Sequence, residues 1–448
     1  MRKRSTAVAL ALGLGFGTGA CSDFLTGPKL SDNPNRPTVA NNATLLVSAE
    51  TNLAFQSEGH LARTVCIWMQ QCAGTKLQYL SLGQYSIGDD DYFPDWTDAY
   101  TRGGLLDLRR IQKSALATAD SAYAGVAYVL EAWIVGQTAD VWGDIPYSQA
   151  ADSTIAAPAL DPQQLVYTTI QAKLDTAIRF LATATAPPAG EDVVYGGDVT
   201  KWTALANTLK ARFYLHTVEP ATSQTAIYDS VFKYATSGIA DTSGDYRTFQ
   251  SSALTESNLW HQFTVSWPDY LSAGKFLVDT LNGPPADPRL PQYFAPVGGV
   301  FVGAAPGQGA TGVSGLSGTR GDPAFRQPLA THVENELILA EAQWKRAGGG
   351  AAGNAAATPH VTNARTAQGL AAIPVTGLAT IMSEKYIALF QNMEIWNDYK
   401  RTCIPTLTPA AGASAVPARL PYPLSERNAN SSIPGPGPQR NWNDPNGC

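Results

Sequence analysis

Charge is scarce in this chain. Of 448 residues, 31 are Lys or Arg and 37 are Asp or Glu. The balance of −6 comes without a basic stripe, which excludes the electrostatic footprint of a nucleic-acid binder. It also gives anionic headgroups nothing to attract, so membrane attachment needs a lipid or a partner. Long apolar runs are missing as well. No stretch beyond residue 20 reaches about 18 uninterrupted apolar residues, so none reads as a membrane span. The five histidines (His60, His216, His261, His332 and His360) are scattered. There is no CxxC pair, GxSxG, HExxH or GxxxxGK[ST]. The sequence therefore assigns no catalytic residue, metal ligand or cofactor. What remains is ample apolar matter, 44% of residues, with 40 Gly and 30 Pro to break it into elements and loops. The length suits two or three domains or one large helical array.

The N-terminus carries the sharpest local pattern. Arg2-Lys3-Arg4 precedes an apolar run from Ala7 to Phe16, and small residues Thr18-Gly19-Ala20 precede Cys21. Residues 1–20 read as a secretory signal, whose apolar run is about half of what spans a bilayer. Its removal would take the net charge from −6 to −9. Cys21 resembles a bacterial lipoprotein acylation site, although Thr18 stands where such sites usually carry Leu. Ordinary cleavage would leave Cys21 as a free thiol. Residues 21–42, rich in Pro, Asn and Asp, read as a lipid-anchored spacer. Four cysteines then remain in an oxidising compartment. On one continuous helix Cys66 and Cys72 would lie about 9 Å apart along the axis, too far to bridge. Cys403 and Cys448 could close the C-terminal tail.

Helical periodicity dominates beyond the spacer. Leu46, Ala49, Leu53 and Phe55 form one stripe, and Leu105, Leu108, Ile111 and Leu116 another. Asp120 is placed to cap a long helix through Val141. Residues 161–181, with Leu165, Ile170, Leu174, Ile178 and Leu181, and residues 200–217 continue the theme. So do residues 334–344 and 376–399. Neighbouring helices joined by short loops predict a mainly α fold and suggest an irregular tetratricopeptide-like scaffold of helix pairs, although no clean thirty-four-residue repeat is found. Residues 43–237 form that scaffold. Residues 238–330 form an inserted loop-rich lobe, helical only near 268–281. Residues 331–448 return to scaffold helices and a tail. Residues 347–357, rich in Gly and Ala, read as a flexible insertion.

Two aromatic-rich regions are candidate ligand contacts, because rings stack on the apolar faces of sugars while carboxylates accept their hydroxyls. The first runs from Tyr85 to Tyr100 and offers Tyr85, Asp90, Tyr92 and Trp96. The alternative is that Tyr92, Phe93 and Trp96 start a helix capped by Asp91. Asp89-Asp90-Asp91 also invites a calcium reading, without the spacing of an EF-hand loop. The second region, in the lobe, offers Trp260, His261, Trp267, Tyr270 and Tyr293. Packing within the lobe is the alternative. Gln70 and Gln71, beside Trp68, are weaker candidates. By contrast, Trp142-Gly143-Asp144-Ile145-Pro146-Tyr147 reads as structural, since Gly143 and Pro146 end a helix. Trp396-Asn397-Asp398-Tyr399 and Arg401 read as a packed helix end.

Three segments resemble the SusD/RagB family of nutrient-binding outer-membrane lipoproteins, in its starch-binding, outer-membrane-associating branch. They are Ala132-Trp133 through Trp142-Gly143-Asp144-Ile145-Pro146-Tyr147-Ser148, Lys201-Trp202 through Arg212, and Glu384-Lys385-Tyr386 through Thr402 with Arg419-Leu420-Pro421-Tyr422-Pro423. The resemblance implies a lipid-anchored protein on the outer face of the outer membrane. Such a protein captures an oligosaccharide, sometimes a peptide, for a TonB-dependent barrel of the SusC type. It implies binding without chemistry. A secreted helical carbohydrate hydrolase and a purely structural tetratricopeptide adaptor are the competing expectations.

Overall fold

The computed structural model describes residues 40–186 and 188–448. The signal sequence, Cys21 and most of the spacer lie outside the described residues.

The chain builds helix on helix. Helix α1 (Asn42–Glu58) buries Leu46, Ala49 and Leu53, and α2 (His60–Trp68) follows after Gly59. Short helices α3 (Leu77–Gly83) and α4 (Phe93–Tyr100) lead to α5 (Leu105–Ala117) and α6 (Ser121–Trp142). Asp120 caps α6 by accepting from the Tyr123 amide at 3.1 Å. Helix α6 is buried on almost every side, as expected of an element that is apolar all round. Next come α7 (Gln163–Leu181), α8 (Val199–Leu215) and α9 (Gln224–Ala235), the last lying in a stretch where periodicity marks no helix. The lobe holds α10 (Leu259–Ser266), α11 (Lys275–Leu281) and α12 (Leu290–Tyr293). The C-terminal part holds α13 (His332–Arg346), α14 (Gly350–Thr366), α15 (Leu378–Ala388), α16 (Glu394–Thr402) and α17 (Leu424–Ala429).

The scaffold is a chain of neighbours: α1 on α5, α5 on α6, and so on through α9, then α9 on α13 and α13 on α14 and α15. This is the mainly α, tetratricopeptide-like stacking that the pattern predicts. The strands are short and pair two by two. Antiparallel pairs join β1 (Cys72–Gly74) to β5 (Leu271–Ala273), β2 (Ile145–Pro146) to β3 (Leu160–Asp161), and β4 (Tyr246–Arg247) to β6 (Pro328–Ala330). The first pair stitches the lobe to the scaffold, and the third closes the lobe between its own two ends. One large apolar cluster also stitches lobe to scaffold, since it contains Leu46 and Trp133 from the scaffold with Leu271, Leu277 and Tyr293 from the lobe.

Several local expectations are corrected. Cys66 and Cys72 are disulfide-bonded, with Cα atoms 5.1 Å apart. The helix does not continue between them. It stops at Trp68, Gln70 turns at φ 56°, and Cys72 opens β1. Cys403 and Cys448 are bonded as well, so the last residue ties back to the end of α16. The Gly/Ala-rich stretch is no flexible insertion. From Gly350 it is α14, because Ala has the highest helix propensity and Ala357, Val361 and Ala364 pack in a cluster with Leu337 and Ala340 of α13. Residues 376–399 are two helices, separated by a turn in which Gln391 adopts φ 66°. Leu116, Leu165 and Phe55 point out of the stripes assigned to them.

Candidate functional site

The tryptophan-rich turn after α6 is structural. Gly143 ends the helix at φ 81°, and a Cβ there would meet Asn441 Oδ1 at 2.5 Å. Trp142 donates its indole N–H to Pro421 O at 3.1 Å, and Arg419 donates to Trp142 O at 2.6 Å. Asp144 accepts from the Gln163 amide at 2.8 Å, and Tyr147 donates to Glu131 at 2.8 Å. Beneath it lies a buried charge network. His216 sits 2.8 Å from Asp140 on one nitrogen and 2.8 Å from Glu394 on the other. Arg212 pairs with Glu334 at 2.6 Å, and Lys385 with Asp398 at 2.8 Å. Arg401 grips both Glu341 and Asp398.

The candidate contact residues divide by depth. Tyr92 is buried under a stacked His60 ring at 4.9 Å and donates to Thr64 Oγ1 at 2.8 Å. Trp96 is buried edge-on against Trp142 at 5.3 Å and Tyr422 at 5.8 Å. Only its flank reaches a shallow cleft of about 360 Å³ shared with Phe93, Tyr100 and Glu426. Trp260 is wholly buried, and Asn258 caps its helix. Tyr293 is buried against Phe390 at 4.5 Å and donates to Ile387 O. Tyr85 is half-buried, turns at φ 62°, and accepts from the Ala410 amide at 3.2 Å. The first turn of α4 starts at Tyr92, not Asp91, with Pro94 close behind. Asp90 is exposed, but its carboxylate accepts from the Ser425 amide and hydroxyl at 2.8 and 2.9 Å. Asp89 pairs with Arg427 and Asp91 accepts from the Gly88 amide, so each Asp of the triplet is occupied separately. His261 faces Gly321 O at 2.7 Å. Gln70 and Gln71 are buried ties to Thr408 O and Tyr386 O. Among the described residues no group of three His, Cys, Asp or Glu could hold a metal ion.

Trp267 differs from all of these. It lies just beyond α10 with 48% of its surface exposed, edge-on to Tyr270 at 5.3 Å. It borders a cleft of about 350 Å³ with Phe55, His60, Arg63, Asp91, Asp95, Gln262 and Phe263. A larger cleft of about 530 Å³ adjoins it, sharing Phe55, Leu259 and Gln262. The two make one groove where α1 and α4 of the scaffold face α10 of the lobe. Phe55, Phe249 and Leu254 stand exposed along it. Glu58, the last residue of α1, holds the lobe here. Its buried carboxyl accepts from Thr248 Oγ1 at 2.6 Å, Gln250 Nε2 at 3.0 Å and the Leu259 amide at 3.0 Å. Burial raises the Glu58 pKa, and those donors with Arg63 oppose the rise.

The smaller cleft is unusual electrostatically. Burial, reinforced by the Arg63 charge, lowers the His60 pKa to about 4, so the ring is neutral at pH 7. Burial raises the Asp95 pKa to about 6 against backbone amides and Arg63. Arg63 itself donates to Tyr79 Oη at 2.8 Å and Glu58 O at 3.0 Å, with its guanidinium 4.5 Å over the Phe263 ring. Sequence reasoning missed Phe55, Arg63, Phe249, Leu254 and Phe263. Phe55 carried a readable signal: two residues past Leu53, it falls off the helical stripe and so cannot share its buried face.

The fold and groove define a class, a helical-pair scaffold with an aromatic-walled surface groove. The chain belongs to the SusD-like family described as starch-binding and associating with the outer membrane, whose model matches residues 34–423. Members of that family are binding proteins associated with the outer membrane. Similar solved structures include a SusD/RagB family protein from Bacteroides thetaiotaomicron, with 22% identity and TM-score 0.74, covering 88% of this chain and 95% of that one. A chitin-binding SusD homologue from Flavobacterium johnsoniae has 20% identity and TM-score 0.74, covering 90% and 98%. A SusD homologue from Bacteroides fragilis has 19% identity and TM-score 0.71, covering 91% and 99%. At these identities the likeness establishes the fold. No curated protein matches the sequence. No helix among the described residues is long and apolar enough to cross a membrane.

Proposed function

We propose that this protein is a lipid-anchored glycan receptor at the cell surface that hands an oligosaccharide, or a peptide, to a SusC-type TonB-dependent barrel. Signal cleavage before Cys21 and acylation there would anchor it, each buried CH₂ contributing about 0.8 kcal/mol. The observation that carries the reading is Trp267, an exposed indole beside exposed Phe55 over a cleft edged with amide and hydroxyl groups. An exposed ring is expensive to leave in water and well suited to a sugar face. Among the candidate contacts, Trp267 is the residue on which this reading relies. Tyr85 and Asp90 stay secondary, Tyr92 and Trp260 pack behind residues that line the groove, and Trp96 and Tyr293 are buried away from it.

A hydrolase reading has one observation in its favour. Asp95, raised to about 6, faces the same cleft as Asp91, and two carboxyl groups suffice for glycoside hydrolysis. One experiment addresses both. Wild type and Trp267→Ala are titrated with a panel of oligosaccharides that includes chitohexaose, and the mixtures are then checked for shortened products. Binding without products, weakened about tenfold in the variant, supports the receptor. Products would replace it with the hydrolase, and equal binding by both proteins would remove Trp267 from the site.

A further inference from the structure

The larger cleft has its own chemistry. Phe55, Phe249 and Leu254 wall it, and Leu254 is 85% exposed. Tyr246 and Glu50 lie at its floor. The Tyr246 ring is wedged edge-on against Trp133, Tyr195 and Trp202, and its buried hydroxyl has no hydrogen-bond partner. Burial and the neighbouring Asp192 charge raise the Glu50 pKa to about 10, which keeps its carboxyl protonated at pH 7. The floor therefore carries no charge, and the exposed Thr51 and Thr255 add hydroxyl groups to the lining of the cleft.

The rim has the opposite of what an anion needs. Glu256 is exposed on it, and no Lys, Arg or His lines this cleft. Arg326 lies close by, 6.0 Å from the Phe249 ring, with its guanidinium donating to Thr248 O at 2.7 Å. The adjoining cleft adds Asp91 and Asp95 against Arg63 alone, and Arg63 already serves Tyr79 and Glu58. An acidic sugar would meet carboxylates here, whereas a neutral sugar would meet rings and hydroxyls.

We infer that the larger cleft is a second sugar subsite, continuous with the Trp267 cleft, and that the groove takes uncharged oligosaccharides and turns away uronate- or sulfate-bearing ones. This rests on the receptor reading above and adds the ligand class to it. The test is calorimetric titration of the full mature chain with chitohexaose, maltohexaose, cellohexaose and hexagalacturonate. Wild type, Phe249→Ala and Trp267→Ala are compared. Both side chains are about half exposed, and unchanged melting temperatures would confirm that the variants fold. The expected result is that an uncharged hexasaccharide binds wild type, that Phe249→Ala weakens it about tenfold, and that hexagalacturonate gives no heat of binding. Loss in Trp267→Ala with none in Phe249→Ala would overturn the second subsite and leave the receptor reading standing. Hexagalacturonate bound as tightly as the best uncharged ligand would overturn the selectivity alone. If no hexasaccharide binds, the receptor reading fails and this inference with it, whereas binding that ignores both substitutions would put the ligand elsewhere and overturn this inference alone.

Discussion

Glu50 and His216 are both buried and ionisable, yet burial has opposite outcomes for them. Glu50 faces Asp192 and stays neutral, with its pKa near 10. In the unfolded chain it ionises near 4.5, so between those values the unfolded state binds fewer protons. Its contribution to stability therefore falls as pH rises from about 4.5 to 10, by up to about 1.4 kcal/mol per unit. A glutamine side chain at this position would keep the shape, accept from the Val193 amide and never ionise. Glu50→Gln should melt with wild type at pH 4.5 and several degrees higher at pH 8, and equal melting at both would refute the protonated carboxyl. For His216, burial disfavours charge, but Asp140 and Glu394 prevail and raise its pKa to about 9. The stability it adds is whole below about 6.5 and is lost as pH climbs through 9. His216→Gln should cost about 3 kcal/mol in urea unfolding at pH 6, the scale of a broken buried ion pair. The deficit should shrink by pH 10, and a deficit independent of pH would contradict the charged imidazole.

Among the elements, the C-terminal tail depends most on a covalent tie. Residues after α16 carry little regular structure, yet Arg419, Asn441 and Asn443 are buried against the turn after α6 and the start of α7. The Cys403–Cys448 bond closes a separation of 45 residues, which chain entropy values at about 4 kcal/mol. The double substitution Cys403→Ser, Cys448→Ser should lower the melting temperature and speed amide exchange in residues 140–147, and unchanged exchange there would mean the tail docks without its tie. Helices with clean periodicity, such as α5 and α7, were legible in the sequence. The break at Trp68 was not, because nothing local stops α2. Tertiary pairing of β1 with β5 does, and that pairing brings Cys72 back to Cys66.

On the scale of the whole molecule, the groove belongs to neither part alone. Glu58 of α1 must receive Thr248, Gln250 and the Leu259 amide before Phe249 and Trp267 face Phe55 across a gap. The proposed hand-over also needs the intact cell surface. Mild detergent extraction of outer membranes should recover the tagged protein with a large barrel. Cys21→Ala should release it from the membrane fraction, and recovery alone from intact membranes would weigh against the SusC-type partnership. The candidate site was only partly legible for the same geometric reason. Its residues were singled out by type, and type does not reveal depth. Tyr92, Trp96, Trp260 and Tyr293 are the same kinds of residue as Trp267, but their rings fill the core.

The sequence by itself determined the mainly α class, the helix cap at Asp120, the structural turn at Gly143, and the family, because these follow from local period, local backbone chemistry and ordered motifs. Only the tertiary structure decided which aromatic rings meet water, which carboxyl keeps its proton, and that Cys66 reaches Cys72. Those outcomes depend on burial and on neighbours far away along the chain, and neither is written in any one segment.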